Sequence, residues 1–444
     1  MVGTRYEGGN RVVGSARLAS MRAIRVILIV LAAVVTTAVV TGAAFVLASQ
    51  RETTRDQAVL EPFYTAPSPL PAGKPGDILR SETLTPAVSL KNANAYRVLY
   101  RTELPNGTAR VSGAMLFVPT TPAPAGGRNV VSWAHPTVGM GDSCAPSRSD
   151  NPLGALDWLQ GMLDQGWIVT ATDYAGLGTE GVEYYLIGQN EAIDAINAVR
   201  MARNFSGAQA SNKYGVFGHS QGGHTSLWAG AIGPKYAPEL NLVGVAGAAP
   251  AGDLTSLVNE LWDTGLAWVI GGEVLISYPA AYPALNAEQI ATQAGLKNYQ
   301  GVAAKCLVPG ILDGKIQQAL GRNTFPANPM TNPAWAAALT EQNAKPLPAS
   351  VPVLVTESIN DGVVVPDTIG KMQVDWCKAG STLQVDWLGP LRGSADTLSI
   401  ETHMYEGSVG GSLATSWFYQ RFAGDAPVSN CNTPPLVPPA PAKK

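Results

Sequence analysis

The chain has 444 residues, 46% of them hydrophobic and only 14% charged, with a net charge of −3. That length supplies one large domain or two ordinary ones, with ample material for a buried core. No basic run marks a nucleic-acid partner, and neither a C-x-x-C pair nor a histidine cluster offers a structural metal site, so no metal and no organic cofactor is expected.

Residues 1–25 form a basic tail carrying Arg5, Arg11, Arg17, Arg22 and Arg25. Val26 to Gln50 carry no charge and are long enough to cross a bilayer as a helix. The basic flank is N-terminal, so the tail stays in the cytoplasm and the bulk of the chain is exported. Two readings stand: a signal peptide cut ahead of Ser49, giving a secreted protein, or a retained anchor holding the folded part outside the membrane. All four cysteines, Cys144, Cys306, Cys377 and Cys431, lie beyond this segment. An even number in an exported chain favours two disulfides, but spacing leaves all three pairings open.

Residues 51–95 read as an extended, proline-punctuated lead-in. Strands are expected at 95–104 and 112–119, separated by the Pro105-Asn106-Gly107 turn, then at 129–134 and 167–173. Helices are expected at 156–164 and 189–204, the second with Ala192, Ile193, Ala195, Ile196 and Val199 on one face. The apolar run before Gly218-His219-Ser220-Gln221-Gly222 reads as a strand, followed by a sharp turn and a helix through Ala231. Another strand covers 242–249. From 253 to 346 the strand–helix rhythm breaks into helical pieces, aromatics and Gly/Pro breaks, which reads as an inserted cap. The rhythm returns with strands at 351–357 and 381–388, helices at 368–378 and 412–422, and a Pro-rich, mobile tail over 433–444. The core thus spans 51–252 and 347–432, with a mostly parallel sheet covered by helices on both faces.

Gly218-His219-Ser220-Gln221-Gly222 carries the chemistry. A serine at the apex of a strand–turn–helix, flanked by glycines that permit the tight backbone, is the nucleophile elbow of an α/β-hydrolase. That fold orders its triad as nucleophile, acid, base. Of the four histidines, His135, His219 and His224 precede or adjoin the elbow, which leaves His403, expected in a loop, as the base. Asp361, in the turn Asn360-Asp361-Gly362 after the strand that follows the cap, is the expected acid. Glu357, Asp367, Asp253 and Asp396 are weaker alternatives. The oxyanion donors are expected to be the amide of Gln221 and that of Thr137 or Val138, because Pro136 has no N–H. Asp173 is expected to order the turn at Gly176 and Gly178, with a functional role the lesser reading. Within the cap, Leu261, Trp262, Leu266, Trp268, Val269 and Ile270 offer apolar surface for an acyl pocket or for packing.

The stretches Phe63-Tyr64-Thr65-Ala66-Pro67-Ser68, Cys144-Ala145-Pro146-Ser147 and Ala237-Pro238-Glu239-Leu240-Asn241, together with the elbow, the loop from Asp361 to Pro366 and His403, resemble the secretory lipase family of the α/β-hydrolases. The resemblance runs from about Pro62 to Cys431. It implies a lipase or esterase with a helical cap between the sixth and seventh expected strands, and disulfides Cys144–Cys306 and Cys377–Cys431. The chain departs from fungal members in having His219, not tyrosine, before the nucleophile. It also ends soon after Cys431, where they continue into a flap.

The expected function is a serine ester hydrolase acting on lipid or another acyl ester. The alternatives are an esterase for small esters or decorated polysaccharides, and a non-catalytic cell-surface binding module on the same fold.

Overall fold

A computed structural model of the chain describes Gly3 and residues 57–84, 90–154, 156–393 and 399–440. The basic tail, the apolar segment Val26–Gln50 and Asp396 lie outside the described residues. Among the described residues, no helix is long and apolar enough to cross a membrane. The chain divides into a unit over Met1–Pro62, of which little is described, and a unit over Phe63–Lys444, which holds the sheet.

Nine strands form one sheet in the order β1-β2-β3-β5-β4-β6-β7-β8-β9. They are β1 (Ile78–Thr83), β2 (Ala93–Glu103), β3 (Ala109–Pro119), β4 (Arg128–Ala134), β5 (Ile168–Thr172), β6 (Ala210–His219), β7 (Asn241–Ala248), β8 (Val353–Ser358) and β9 (Leu383–Leu388). β1, β2, β3 and β5 pair antiparallel; from β5 through β4, β6, β7 and β8 to β9 every pairing is parallel. The central strands are apolar on both faces because both are covered. Val130, Ile168, Val216 and Val245 join one core cluster, while their chain neighbours Val131, Val169, Phe217 and Ala246 join the other.

The helices are α1 (Leu159–Asp164), α2 (Gly188–Asn204), α3 (Gln221–Tyr236), α4 (Leu254–Leu261), α5 (Ile270–Ala281), α6 (Gln293–Ala303), α7 (Leu307–Ala319), α8 (Pro333–Glu341), α9 (Pro366–Lys378) and α10 (Ile400–Ala423). α2, α3 and α9 contribute to the first cluster, α1 and α10 to the second. Helices α4 to α8 make up the insertion between β7 and β8. Its neck is closed by the Ala344 amide donating to the Gly252 carbonyl at 2.9 Å.

The structure differs from the sequence reading at several points along the chain. The lead-in, expected to be extended, is helical over residues 57–64 and contains β1, which pairs with β2 along the sheet edge. The last helix begins at Ile400, twelve residues before the expected start at Ser412, because Ser399 caps it by accepting from the Thr402 amide. The Pro-rich tail lies along α9, where Gln373 donates to the Thr433 carbonyl at 3.0 Å. Cys144 is bonded to Cys306 and Cys377 to Cys431, the pairing that the resemblance implies.

Candidate active site

β6 ends at the centre of the sheet, and α3 starts one residue after Ser220. Ser220 has φ 56° and ψ −115°, a left-handed conformation that costs a non-glycine residue about 1–3 kcal/mol. The fold holds it there from both sides. Its amide donates to the Ala248 carbonyl at 2.9 Å, and its carbonyl accepts from the His224 and Ala251 amides. A side chain at Gly218 would overlap the Gly222 backbone, and one at Gly222 would overlap the Ala134 carbonyl. Both positions therefore have to be glycine.

Ser220 Oγ lies 2.9 Å from His403 Nε2, and His403 Nδ1 lies 2.6 Å from Asp361 Oδ2. The other Asp361 oxygen accepts from the Val363 and Val364 amides at 2.7 and 3.0 Å. These bonds hold the Asp361 carboxyl in place, and its second oxygen orients the imidazole with Nδ1 towards Asp361 and Nε2 towards the serine. Asp361 and the helix that carries His403 are tied through the backbone. Asp361 bridges Ser399, the Gly362 amide donates to the Ser399 carbonyl, and the Ser399 amide donates to Asn360. His403 is therefore on the first turn of α10, not in a loop.

The remaining histidines have other partners. His135 is buried against Tyr174, its ring nitrogens near the Pro136 and Asp173 carbonyls. His224 Nε2 contacts the Gln342 carbonyl and accepts from Trp228. His219 lies 4.7 Å from His403, ring centre to ring centre. Burial, and then the neighbouring imidazole, hold His219 well below the usual range, so it stays neutral beside the base. Of the alternative acids, Asp253 caps α4 through Ser256 and Asp367 lies in the first turn of α9. Asp173 binds the Ser147 amide and hydroxyl and so orders the segment after Cys144; the turn at Gly176 is held by Asp194, which accepts from the Ala175 amide, and by Thr179.

Glu357, on β8, and Glu406, on α10, lie beneath Asp361, and one oxygen of each of the three falls within 4.8 Å of the others. Burial and the neighbouring carboxylates push both glutamates well up, so they are held neutral. Neutral glutamates are poor ligands, and the Asp361 oxygens are engaged by His403 and two amides, so the trio is ill suited to a cation.

Gln221 opens α3, where the first amides of a helix have no intrahelical acceptor. Its side chain donates to Glu183 at 3.0 Å and to Glu191 at 2.8 Å, and Glu191 also accepts from the Leu186 amide and the Thr225 hydroxyl. Nothing in the sequence singled out this buried acidic belt. Across from Gln221, the loop after β4 runs beneath the cap. The Val138 carbonyl accepts from Leu307, the Met140 amide donates to Ala303, and the Thr137 hydroxyl bonds Tyr185 at 2.7 Å.

Ser220, Gln221 and Thr137 open onto a cavity of about 850 Å³, its open mouth included. The rest of its wall is almost wholly apolar and comes largely from the cap. Leu261, Trp262, Leu266 and Ile270 line it as expected, together with Leu254 and Phe325. Trp268 and Val269 do not; they pack against Gly314 and Gly310 of α7. Val138 is also outside the lining and packs beside the Cys144–Cys306 bridge.

Residues 156–430 match the family described as Secretory lipase. The curated Lipase A of Arthroderma benhamiae is 24% identical over 398 residues, covering 84% of this chain and 81% of that protein. Among solved structures, the rice cell wall degrading esterase LipA of Xanthomonas oryzae aligns with a TM-score of 0.67 at 20% identity, covering 79% of this chain and 100% of that one. Candida antarctica lipase A aligns with a TM-score of 0.65 at 19% identity, covering 86% and 89%. These structural likenesses carry the fold, and the family match spans more than half of the chain. The protein therefore belongs to the secretory lipase family of α/β-hydrolases and is a serine ester hydrolase.

Proposed function

We propose that Ser220, His403 and Asp361 are the catalytic triad and that the apolar cavity takes the acyl chain of the ester. His403 removes the hydroxyl proton as Ser220 attacks the carbonyl carbon. The amides of Gln221 and Thr137 stabilise the oxyanion, each contributing on the order of 3 kcal/mol to the transition state. The alcohol leaves with the proton from His403, and a water activated by the same imidazole frees the acid from Ser220. Asp361 keeps the ring in its working tautomer. The observation that carries this reading is His403 bridging Ser220 and Asp361 within hydrogen-bond distance on both sides.

The cavity wall favours a lipase-like substrate over a small or sugar-bound ester, since it offers a sugar few hydrogen-bonding partners. The enzyme acts outside the cytoplasm, in keeping with its secretory family, with Val26–Gln50 serving either as a cleaved export signal or as a retained anchor. A p-nitrophenyl ester series of rising chain length tests the substrate reading: kcat/KM should climb from acetate towards long acyl chains. Ser220→Ala should lower kcat by a factor on the order of 10⁶. Equal rates with and without the serine hydroxyl would end the proposal.

A further inference from the structure

Helix α7 is built inside out. Its inward side carries Gly310 and Gly314, both buried. A side chain at Gly314 would press on the Gly265 carbonyl and on Trp268, and one at Gly310 would touch Val269. The large apolar residues face water instead: Val308 is 74% exposed, Leu312 61%, Ile316 48% and Leu320, just past the helix end, 60%. Their spacing of four keeps them on one stripe. Scattered exposed leucines are ordinary, but a continuous apolar stripe opposite a glycine seam marks a surface that meets something else.

Two further observations identify what it meets. Residues 293–322 carry Lys297, Lys305, Lys315 and Arg322 against the single acid Asp313, in a chain whose net charge is −3. The inner flank of α7 also borders a groove lined by Ile311, Lys315, Leu261, Leu266, Gly362 and Ile400. Leu261 and Leu266 line the acyl cavity as well, and Gly362 follows Asp361. Apolar helix, cationic flank and cavity wall are therefore continuous.

We propose that α7 is the docking helix by which the enzyme settles on an anionic lipid surface, with Val308, Leu312, Ile316 and Leu320 entering the acyl layer and Lys297, Lys315 and Arg322 meeting the head groups, since Lys305 is paired with Asp313. The orientation of the cavity towards that surface rests on the acyl-pocket reading above. The Cys144–Cys306 bridge fixes the start of α7 to the segment that follows Thr137, so docking and active site share one rigid frame.

The described part of the chain has no free cysteine, so one introduced thiol can carry a solvent-sensitive fluorophore. The full-length protein with Leu312→Cys, labelled, is mixed with vesicles of phosphatidylcholine and phosphatidylglycerol; Lys213→Cys serves as a control on an exposed strand end. The label at 312 should shift to the blue and be quenched by brominated acyl chains, more strongly as phosphatidylglycerol rises, while the label at 213 should not change. The double variant Leu312→Asp/Ile316→Asp should raise the apparent KM on emulsified triacylglycerol about tenfold or more and leave p-nitrophenyl acetate hydrolysis at the wild-type rate. A 312 label that stays water-exposed while the protein binds vesicles would overturn the proposal, leaving the N-terminal segment as the sole contact. A label already dry before vesicles are added, in a protein that sediments as a dimer, would overturn it in favour of a second copy. Failure of the triad reading would instead appear as absent hydrolysis of the soluble ester.

Discussion

At the scale of single residues, three side chains from separate parts of the chain meet, Ser220 after β6, Asp361 after β8 and His403 on α10. Ser220 stands out because a serine between glycines at a strand–helix junction has few other uses, and His403 because the chain has so few histidines. Asp361 follows from chain order and from its Asn-Asp-Gly turn. Replacing its carboxylate tests its role directly: Asp361→Asn should retain the fold and cut kcat by a factor on the order of 10⁴, because the amide holds the wrong tautomer. Circular dichroism alongside ester kinetics checks both halves of that expectation. Glu183, Glu191 and Glu406 were not legible, and Glu357 was legible only as a weaker alternative for the acid, not as a buried neutral group. Acids normally lie at the surface, and only the folded arrangement shows these four buried beneath α3 and Asp361.

At the scale of elements, strands with continuous apolar runs and helices with an apolar face were readable to within a few residues. β1 and the first half of α10 escaped for physical reasons. β1 is an edge strand with an exposed half, so its sequence lacks the apolar run of a central strand. α10 carries Gly407, Gly410 and Gly411, which weaken any helical signal. Tertiary contact demands them, since larger side chains would strike His219, Thr356 and Trp158 respectively. The cap was legible as an interruption but not as a packing pattern, because α7 reverses the usual inward placement of large apolar residues. The Cys144–Cys306 bridge ties that cap to the segment after β4 across a separation of 162 residues. Chain-entropy arguments give such a bridge up to about 5 kcal/mol. Cys144→Ala/Cys306→Ala should therefore lower the midpoint of chemical denaturation. It should also lower kcat more than the equivalent Cys377→Ala/Cys431→Ala change, whose bridge ties α9 to the C-terminal segment.

For the whole molecule, the buried acids set how stability responds to pH. Burial, followed by the charge of Glu191, pushes Glu183 up to about 8; burial pushes Asp173 and Asp194 up to about 6. Each group ionises more readily unfolded than folded. The native state therefore holds the extra proton above the ordinary carboxylate range, and each contribution to stability declines as pH rises towards its folded value. Glu183→Gln removes one such group and should flatten the fall in thermal midpoint between about pH 5 and pH 8. The difference from wild type should grow by up to about 1.4 kcal/mol per pH unit in that window. A difference that stayed constant with pH would show Glu183 to be ionised in the folded enzyme.

The neck at Gly252 and Ala344 bears on how such an enzyme diversifies. The chain leaves the sheet after β7 and returns at β8, the strand hydrogen-bonded beside it, so whatever lies between is a detour that the register of the sheet does not feel. Its ties to the rest of the unit are the bridge to Cys144 and a few hydrogen bonds, among them those between Leu307 and Val138, Met140 and Ala303, and His224 and Gln342, so another detour that kept this handful could bring a new appetite for substrates above an unaltered sheet.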